Sequence, residues 1–169
     1  MSTQSPRSKA ASMSALKACL WFPAEAEPAA KFYTSIFPDS KIVNVMRAGP
    51  GPEAPAIAVD LVLAGTPFLA LNGRQSAGFT DACSFVIPCE TQEEVDRYWK
   101  ALTAGGQEGQ CGWLKDRYGV SWQVVPNALS RLLGDPDPAR AGRVMQAMLG
   151  MKKLDIAALE KAARMTAVG

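Results

Sequence analysis

The chain has 169 residues, 48% of them hydrophobic and 20% charged, with a net charge of +2. That is the composition of one globular domain or two fused small modules, and it excludes both a disordered chain and the dense basic surface of a non-specific nucleic-acid binder. No apolar run approaches the ~20 residues of a membrane span, and the absence of histidine removes Ser-His-Asp triads, Cys-His pairs, His-ligated zinc and His general bases.

Residues 1–13, rich in Ser and Ala with scattered Lys and Arg and no periodicity, read as a disordered arm. A strand is expected over 16–22, closed by Pro23. A helix follows with Pro28 in its first turn, where a missing N–H costs little. Its apolar positions Ala29, Phe32, Tyr33 and Ile36 define one face, and Pro38 stops it. Residues 41–47 read as a strand and 48–55 (AGPGPEAP) as a loop. Strands over 57–63 and 67–71 are joined by a hairpin at Ala64-Gly65-Thr66, and Asn72-Gly73 marks a turn.

The pattern then starts again. A strand over 82–87 is ended by Pro88. Thr91 with Glu94 forms a capping box, in which hydroxyl and carboxylate satisfy orphan N–H groups reciprocally. The helix behind it buries Val95, Tyr98, Trp99 and Leu102 and ends at Gly105-Gly106. Strands over 112–115 and 120–125 flank Asp116-Arg117-Tyr118-Gly119, read as a solvated turn. The two helix faces, 29/32/33/36 and 95/98/99/102, have one spacing, and the aromatic pairs Phe32-Tyr33 and Tyr98-Trp99 fall at equivalent places. Two such units stabilise by pairing, which gives an α+β fold: two β-α-β-β-β repeats forming a curved mixed sheet over 14–126, plus C-terminal helices over 127–169. In that extension Asn127 is expected to cap a short helix through Leu133. Asp137-Pro138 starts a second, with Val144, Met145, Met148 and Leu149 on one side. Asp155 caps the third, and Leu154 and Leu159 occupy the two positions of a hydrophobic staple.

Cys19, Cys83, Cys89 and Cys111 show no C-x-x-C spacing, so zinc-ribbon and thioredoxin-type readings fail. The N-terminal residues lack the apolar stretch of a signal peptide. Reduced thiols in a cytoplasm are the expectation.

The segments QCGWLKDRYGVSWQVVP (110–126), CETQEEVDRYWKAL (89–102), MLGMKKLDIAALEKA (148–162) and FYTSIFPDSKI (32–42) carry a resemblance. The chain resembles the vicinal oxygen chelate superfamily of glyoxalase I and bleomycin-resistance proteins, and within it the PhnB-like branch labelled 3-demethylubiquinone 3-methyltransferase-like. The resemblance covers roughly residues 15–163. Metal-using members take four His, Gln or Glu ligands from strands at the centre of a cup. Carried over, those positions fall near Ala18, Leu69, Ala82 and Gln123. Only Gln123 is a donor, and one neutral amide cannot hold a divalent cation against water, so no metal and no cofactor are expected. The methyltransferase label implies a parallel sheet with a Gly-rich loop between its first strand and helix. Neither AGPGP (48–52) nor AGGQEG (104–109) stands there.

By the same resemblance Asn72, Ser84, Cys111, Trp113 and Gln123 are candidate ligand-binding residues of the cup. Trp122 and Gln123 are neighbours on a strand and point to opposite sides; with Gln123 in the cup, Trp122 packs on the helices. Cys111 reads as a buried thiol or as a nucleophile beside Lys115 or Asp116. Asn72-Gly73-Arg74 reads as a plain turn or an anion contact. Asp60 and Glu90 offer unpaired carboxylates. The resemblance implies a metal-free homodimer holding a small apolar or aromatic molecule, with no nucleic-acid or membrane partner. Two alternatives stand beside it: an enzyme of unknown reaction using Cys111 or a carboxylate, and a structural dimer whose C-terminal helices bind a protein.

Overall fold

The computed structural model describes residues 16–74 and 78–165. The arm expected over 1–13 lies outside them. Two repeats are followed by three helices, and each repeat builds its own four-stranded sheet. The first contains β1 (Ala18–Phe22), α1 (Ala26–Ile36), β2 (Lys41–Arg47), β3 (Ala56–Leu63) and β4 (Thr66–Asn72), with strand order β1-β4-β3-β2. The second contains β5 (Phe85–Cys89), α2 (Gln92–Thr103), β6 (Gln107–Glu108), β7 (Trp113–Lys115) and β8 (Ser121–Pro126), in the order β5-β8-β7-β6. In the second sheet β5 runs parallel to β8, and the β6–β7 and β7–β8 pairs are antiparallel. Both sheets are mixed and helices pack on them, an α+β fold.

By contact density the chain divides into two compact units. Among the described residues, one comprises 16–20 with Ala26–Asn72; the other comprises Trp21–Glu25 and those from Gly73 on. Phe22 belongs to the second because its ring meets Phe79 at 5.2 Å and Tyr118 at 6.0 Å, both edge-on.

In the first unit, α1 packs on β2, β3 and β4. It buries Ala26, Ala29, Ala30 and Tyr33, whereas the sequence pattern places Phe32 and Ile36 inward; both are only half-buried. The β3–β4 hairpin closes on two residues, Ala64 (φ 46°) and Gly65 (φ 79°), after the Leu63–Thr66 pair. Left-handed backbone at both positions matches the right-handed twist of the strands. Arg47 at the end of β2 donates to both carboxylate oxygens of Glu27 (2.9 and 3.1 Å) and to the Ala54 carbonyl (2.9 Å), which ties the 48–55 loop to the first turn of α1.

In the second unit, α2 buries Val95, Tyr98, Trp99 and Leu102, as the periodicity predicts. Thr91 accepts from the Glu94 N–H (3.3 Å), but the Glu94 carboxylate accepts from the Glu90 N–H (2.7 Å), one residue upstream of the cap itself. Strand β5 starts three residues later than predicted, because the 80–83 segment is a turn with Cys83 N–H on the Thr80 carbonyl. It also runs through Pro88, which an edge strand tolerates. The two-residue β6 escapes the sequence reading, since it lies in the glycine-rich 104–109 stretch.

The C-terminal helices are α3 (Asn127–Leu133), α4 (Pro138–Leu149) and α5 (Ile156–Arg164). Leu129, Leu132, Val144, Leu154 and Leu159 form their shared apolar cluster, which contains the staple pair Leu154 and Leu159. Asp137 and Asp155 cap α4 and α5 through their side chains, as predicted. Asn127 does not cap α3: Pro126 stands at the cap position, and the Asn127 amide donates to Glu90 instead.

Candidate functional site

The second sheet has one covered face and one open face, and strand alternation assigns its residues to each. Leu114, Trp122, Val124, Ile87 and Cys89 are buried, on the side where α2 packs. Register then fixes the other side. Trp113 lies opposite Gln123, Lys115 opposite Ser121, Val86 beside Gln123, and Gln107 opposite Lys115.

A hydrogen-bonded array occupies this second face, which is open at Val86 (57% exposed) and closed at Ser121 (1% exposed). The Gln123 amide donates to the Ser84 hydroxyl at 2.8 Å. The Ser121 hydroxyl donates to Asp81 at 2.7 Å, and the Lys115 ammonium stands 3.4 Å from the same carboxylate oxygen. The Ser121 hydrogen bond, with Lys115 behind it, holds the Asp81 carboxyl below the ordinary carboxylate range. Asp81, Lys115, Gln107, Trp113 and Cys111 line a cleft of about 560 Å³ at this edge of the sheet, a size that suits a small organic molecule.

The structure brings Ser84, Trp113 and Gln123 together on this face and sets Cys111 at the cleft wall. Asn72 lies in the first unit. Its carbonyl oxygen accepts from the Ala26 N–H (2.8 Å) and its amide donates to the Ala56 carbonyl (2.9 Å), so it fastens the start of α1 to β3. Trp122 lies on the covered face, with its ring 5.3 Å from that of Phe85. Asp81, Ser121 and Val86 are members that the sequence pattern does not single out, and Lys115, named there only as a neighbour of Cys111, here faces Asp81; counting by two from Gln123 and Trp113 along each strand reaches Ser121 and Lys115.

Asp116 departs most from expectation. It is 3% exposed, not a solvated turn residue. Its carboxylate accepts from the N–H groups of Tyr118 (2.8 Å) and Val120 (3.1 Å) and from the Trp122 indole (2.8 Å). A buried carboxylate needs such donors, and here they shape the loop between β7 and β8.

Cys89 and Cys111 differ in their surroundings. Burial pushes the Cys89 thiol up to about 11, so it presents no thiolate near neutral pH. The Cys111 thiol donates to the Met148 carbonyl at 3.5 Å.

The carried-over metal positions do not assemble a ligand set. Leu69 and Gln123 occupy matching places on β4 and β8. Strand β1 matches β5 residue for residue in burial, so Ala18 corresponds to Phe85, while Ala82 lies in the turn before β5. Gln123 is again the one donor. Among the described residues no three His, Cys, Asp or Glu side chains gather as a metal site would require.

Compared with known proteins, the chain matches the family model described as 3-demethylubiquinone-9 3-methyltransferase over residues 14–125. The chain belongs to this family. It is the PhnB-like branch of the vicinal oxygen chelate superfamily. The matched region stops at residue 125, so the 148–162 segment lies beyond it. A PhnB protein of solved structure from Bacillus cereus, described as a putative 3-demethylubiquinone-9 3-methyltransferase, is 35% identical with a TM-score of 0.60; the match covers 66% of this chain and 98% of that one. A protein from Pseudomonas aeruginosa is 20% identical with a TM-score of 0.56, over 66% of this chain and 98% of that one. The fosfomycin resistance protein FosX from Listeria monocytogenes, at 15% identity and a TM-score of 0.51, covers 70% and 96% and shares the fold. No curated protein matches the sequence. Neither 23–25 after β1 nor 90–91 after β5 contains a glycine, so neither connection is a Gly-rich strand-to-helix loop of the kind that dinucleotide-binding α/β folds use. No helix among the described residues is long and apolar enough to cross a membrane.

Proposed function

We propose that this protein is a metal-free small-molecule-binding member of the PhnB-like family, with the open face of the second sheet and its adjoining cleft as the site. The observation that carries this is the Gln123–Ser84 pair beside Trp113, bordered by the Ser121–Asp81–Lys115 group. Hydroxyl, amide and charged groups converge beside an indole and the 57%-exposed Val86, the mixture that orients a small apolar or aromatic ligand. Asn72 falls outside this proposal, because both ends of its amide are engaged within the first unit.

The absence of a ligand set at the four inherited positions supports the metal-free part. Elemental analysis of the purified protein should find no stoichiometric divalent ion; one zinc, nickel, iron or manganese per subunit overturns it. The binding part is tested by titrating 8-anilinonaphthalene-1-sulfonate, an aromatic anionic dye, into wild type and Trp113→Ala. Saturable binding lost in the variant supports the site, whereas binding that ignores Trp113 removes it. We also propose a cytoplasmic homodimer in which 14–126 is the binding domain. Exposed apolar residues such as Val43, Met46 and Val86 support assembly, and four unpaired cysteines support a reducing compartment. A monomer by light scattering at micromolar concentration would refute the dimer.

A further inference from the structure

The cleft wall beside β7 is the short strap from Glu108, the last residue of β6, to Gly112. From the sheet side β7, the Trp99 indole on Glu108 and the Val124 N–H on Gly112 hold it, and a second set of contacts comes from beyond residue 147. The Cys111 N–H donates to the Met151 carbonyl and the Gly112 N–H to the Lys152 carbonyl, both at 2.7 Å. The Cys111 thiol reaches the Met148 carbonyl, and Lys152 pairs with Glu108 at 3.5 Å. Cys111 sits at φ 56°, a left-handed conformation that a non-glycine residue keeps only when its surroundings impose it. Gly112 (φ 84°) leaves no room for a side chain: a Cβ there would stand 2.6 Å from the Val124 carbonyl and 3.1 Å from the Leu154 side chain.

Leu154 therefore forms the floor under the strap, fully buried. It is held in turn from α2. The Gln92 amide donates to the Leu154 carbonyl (3.1 Å), and its oxygen accepts from the Ile156 N–H (2.9 Å). The strap then passes the constraint to the site, since Gly109 N–H binds the Trp113 carbonyl (2.8 Å) and Trp113 N–H binds the Gln110 carbonyl (3.0 Å). The family match ends at residue 125, so this fixture lies outside the matched region.

We propose that the C-terminal helices hold the cleft wall in its binding shape, with Cys111 and Leu154 as positioning residues that act through Trp113. The proposal rests on the reading of the cleft as a binding site, and the experiment separates the two. Leu154→Ala is compared with Val144→Ala, an equally buried member of the same apolar cluster. Both lose core packing, but only Leu154 supports the strap. Amide hydrogen exchange at Cys111 and Gly112, measured below the melting transition of both variants, should accelerate in Leu154→Ala and stay near wild type in Val144→Ala. Dye affinity should fall about tenfold or more in Leu154→Ala alone, because a site that loosens by an ångström loses much of its preorganisation. Equal exchange at Cys111 and Gly112 in the two variants overturns the proposal whether or not the dye binds. Dye binding that Trp113→Ala leaves intact overturns the binding-site reading and leaves exchange to judge the fixture. Cys111→Ser retains a donor for the Met148 carbonyl, so exchange at Gly112 should stay near the wild-type rate. Loss of exchange protection at Gly112 in that variant would assign the latch to the sulfur itself and overturn a Cys111 role exerted through hydrogen bonding.

Discussion

The two repeats share a skeleton and differ on the sheet face that turns away from their helices. Strands β1 and β5 have one burial pattern over five residues each. The helices bury residues at one spacing, 26/29/30/33 in α1 and 95/98/99/102 in α2. The hairpin registers also match: Leu61 faces Phe68 as Leu114 faces Trp122, and all four are buried. One residue further along β4 and β8, on the open faces, the likeness stops. Leu69 faces Asp60 in the first unit, whereas Gln123 faces Trp113 in the second. Asp60 is paired with Lys17 at 2.6 Å; Gln123 is paired with Ser84. Packing against a helix constrains size and polarity on one side of a strand, and alternation leaves the other side free to diverge. Function is therefore to be sought where the repeats differ.

The largest expected effect tests the alignment of the skeletons. Sequence spacing pairs Phe32-Tyr33 with Tyr98-Trp99, but the buried positions pair Ala29-Ala30 with them and Tyr33 with Leu102. Tyr33→Ala should cost about 3–5 kcal/mol in denaturant unfolding, as for a fully buried aromatic, and Phe32→Ala only about 1 kcal/mol. Equal losses would restore the aromatic-pair alignment. The error has a physical origin. Large aromatic residues dominate a hydrophobic pattern, so a helix that turns an alanine face inward looks displaced by three residues along its axis.

Next comes the connection between the paired strands. The first unit closes with Ala64-Gly65, a solution in backbone conformation; the second uses five residues, Asp116 to Val120, organised by one carboxylate. Asp116→Ala should destabilise by about 3 kcal/mol, since it strands three donors around a buried position. Gly65→Ala should cost about 1 kcal/mol, the penalty of left-handed backbone, because its side chain would meet nothing within 4 Å. Similar losses at both sites would mean that the Asp116 network contributes no more than a turn does.

How much of this was legible follows from the same contrast. Caps, turns and core periodicity are local, and they identified Thr91, Asp137, Asp155, the face of α2 and the hairpin at Ala64-Gly65-Thr66, whose third residue proves to be the first of β4. Asp116 looked like a surface turn because Asp before Arg-Tyr-Gly is turn chemistry; only the Trp122 indole, six residues on, makes it internal. The wall at Cys111 was not legible, since its partners at Met148, Met151 and Lys152 lie 37 or more residues away and are backbone carbonyls, which carry no sequence signal. Ser84, Trp113 and Gln123 came from the resemblance, and register explains why they share a face.

A smaller effect on stability, with a large one on binding, is expected at the diverged position. Gln123→Leu gives the second unit the residue of the first. The Ser84 hydroxyl it leaves is only half-buried and can turn to water, so stability should change by less than about 1 kcal/mol, while dye binding should be lost. The reciprocal Leu69→Gln should leave dye binding at the wild-type value. Retained binding in Gln123→Leu would detach this residue from the site. A loss of several kcal/mol instead would make it a structural residue.

A pH-dependent effect compares one carboxylate in each unit as pH falls. Two Arg47 hydrogen bonds, assisted by Lys31, hold Glu27 at about 2 against an ordinary 4.5. The Ser121 hydroxyl, and after it Lys115, lowers Asp81. A carboxylate with a depressed pKa binds fewer protons folded than unfolded, so its stabilisation is complete above the ordinary value and disappears as pH falls through the folded value. For Glu27 that window runs from 4.5 down to about 2. The environments differ in exposure: the Glu27 and Arg47 side chains are 19% and 21% exposed, those of Asp81 and Lys115 64% and 37%. Salt should therefore weaken the second pair more than the first. Carboxyl-carbon NMR titration of Arg47→Ala should show Glu27 moving up toward 4.5, and its stability difference from wild type, about 1 kcal/mol at neutral pH, should shrink as pH falls through that window to the part that the Ala54 hydrogen bond contributes. Ser121→Ala should raise Asp81 at low salt and also leave Lys115 less well aligned with it on the open face. A Glu27 midpoint that stays put in Arg47→Ala would show that the first unit's ion pair is as loosely coupled as the second's.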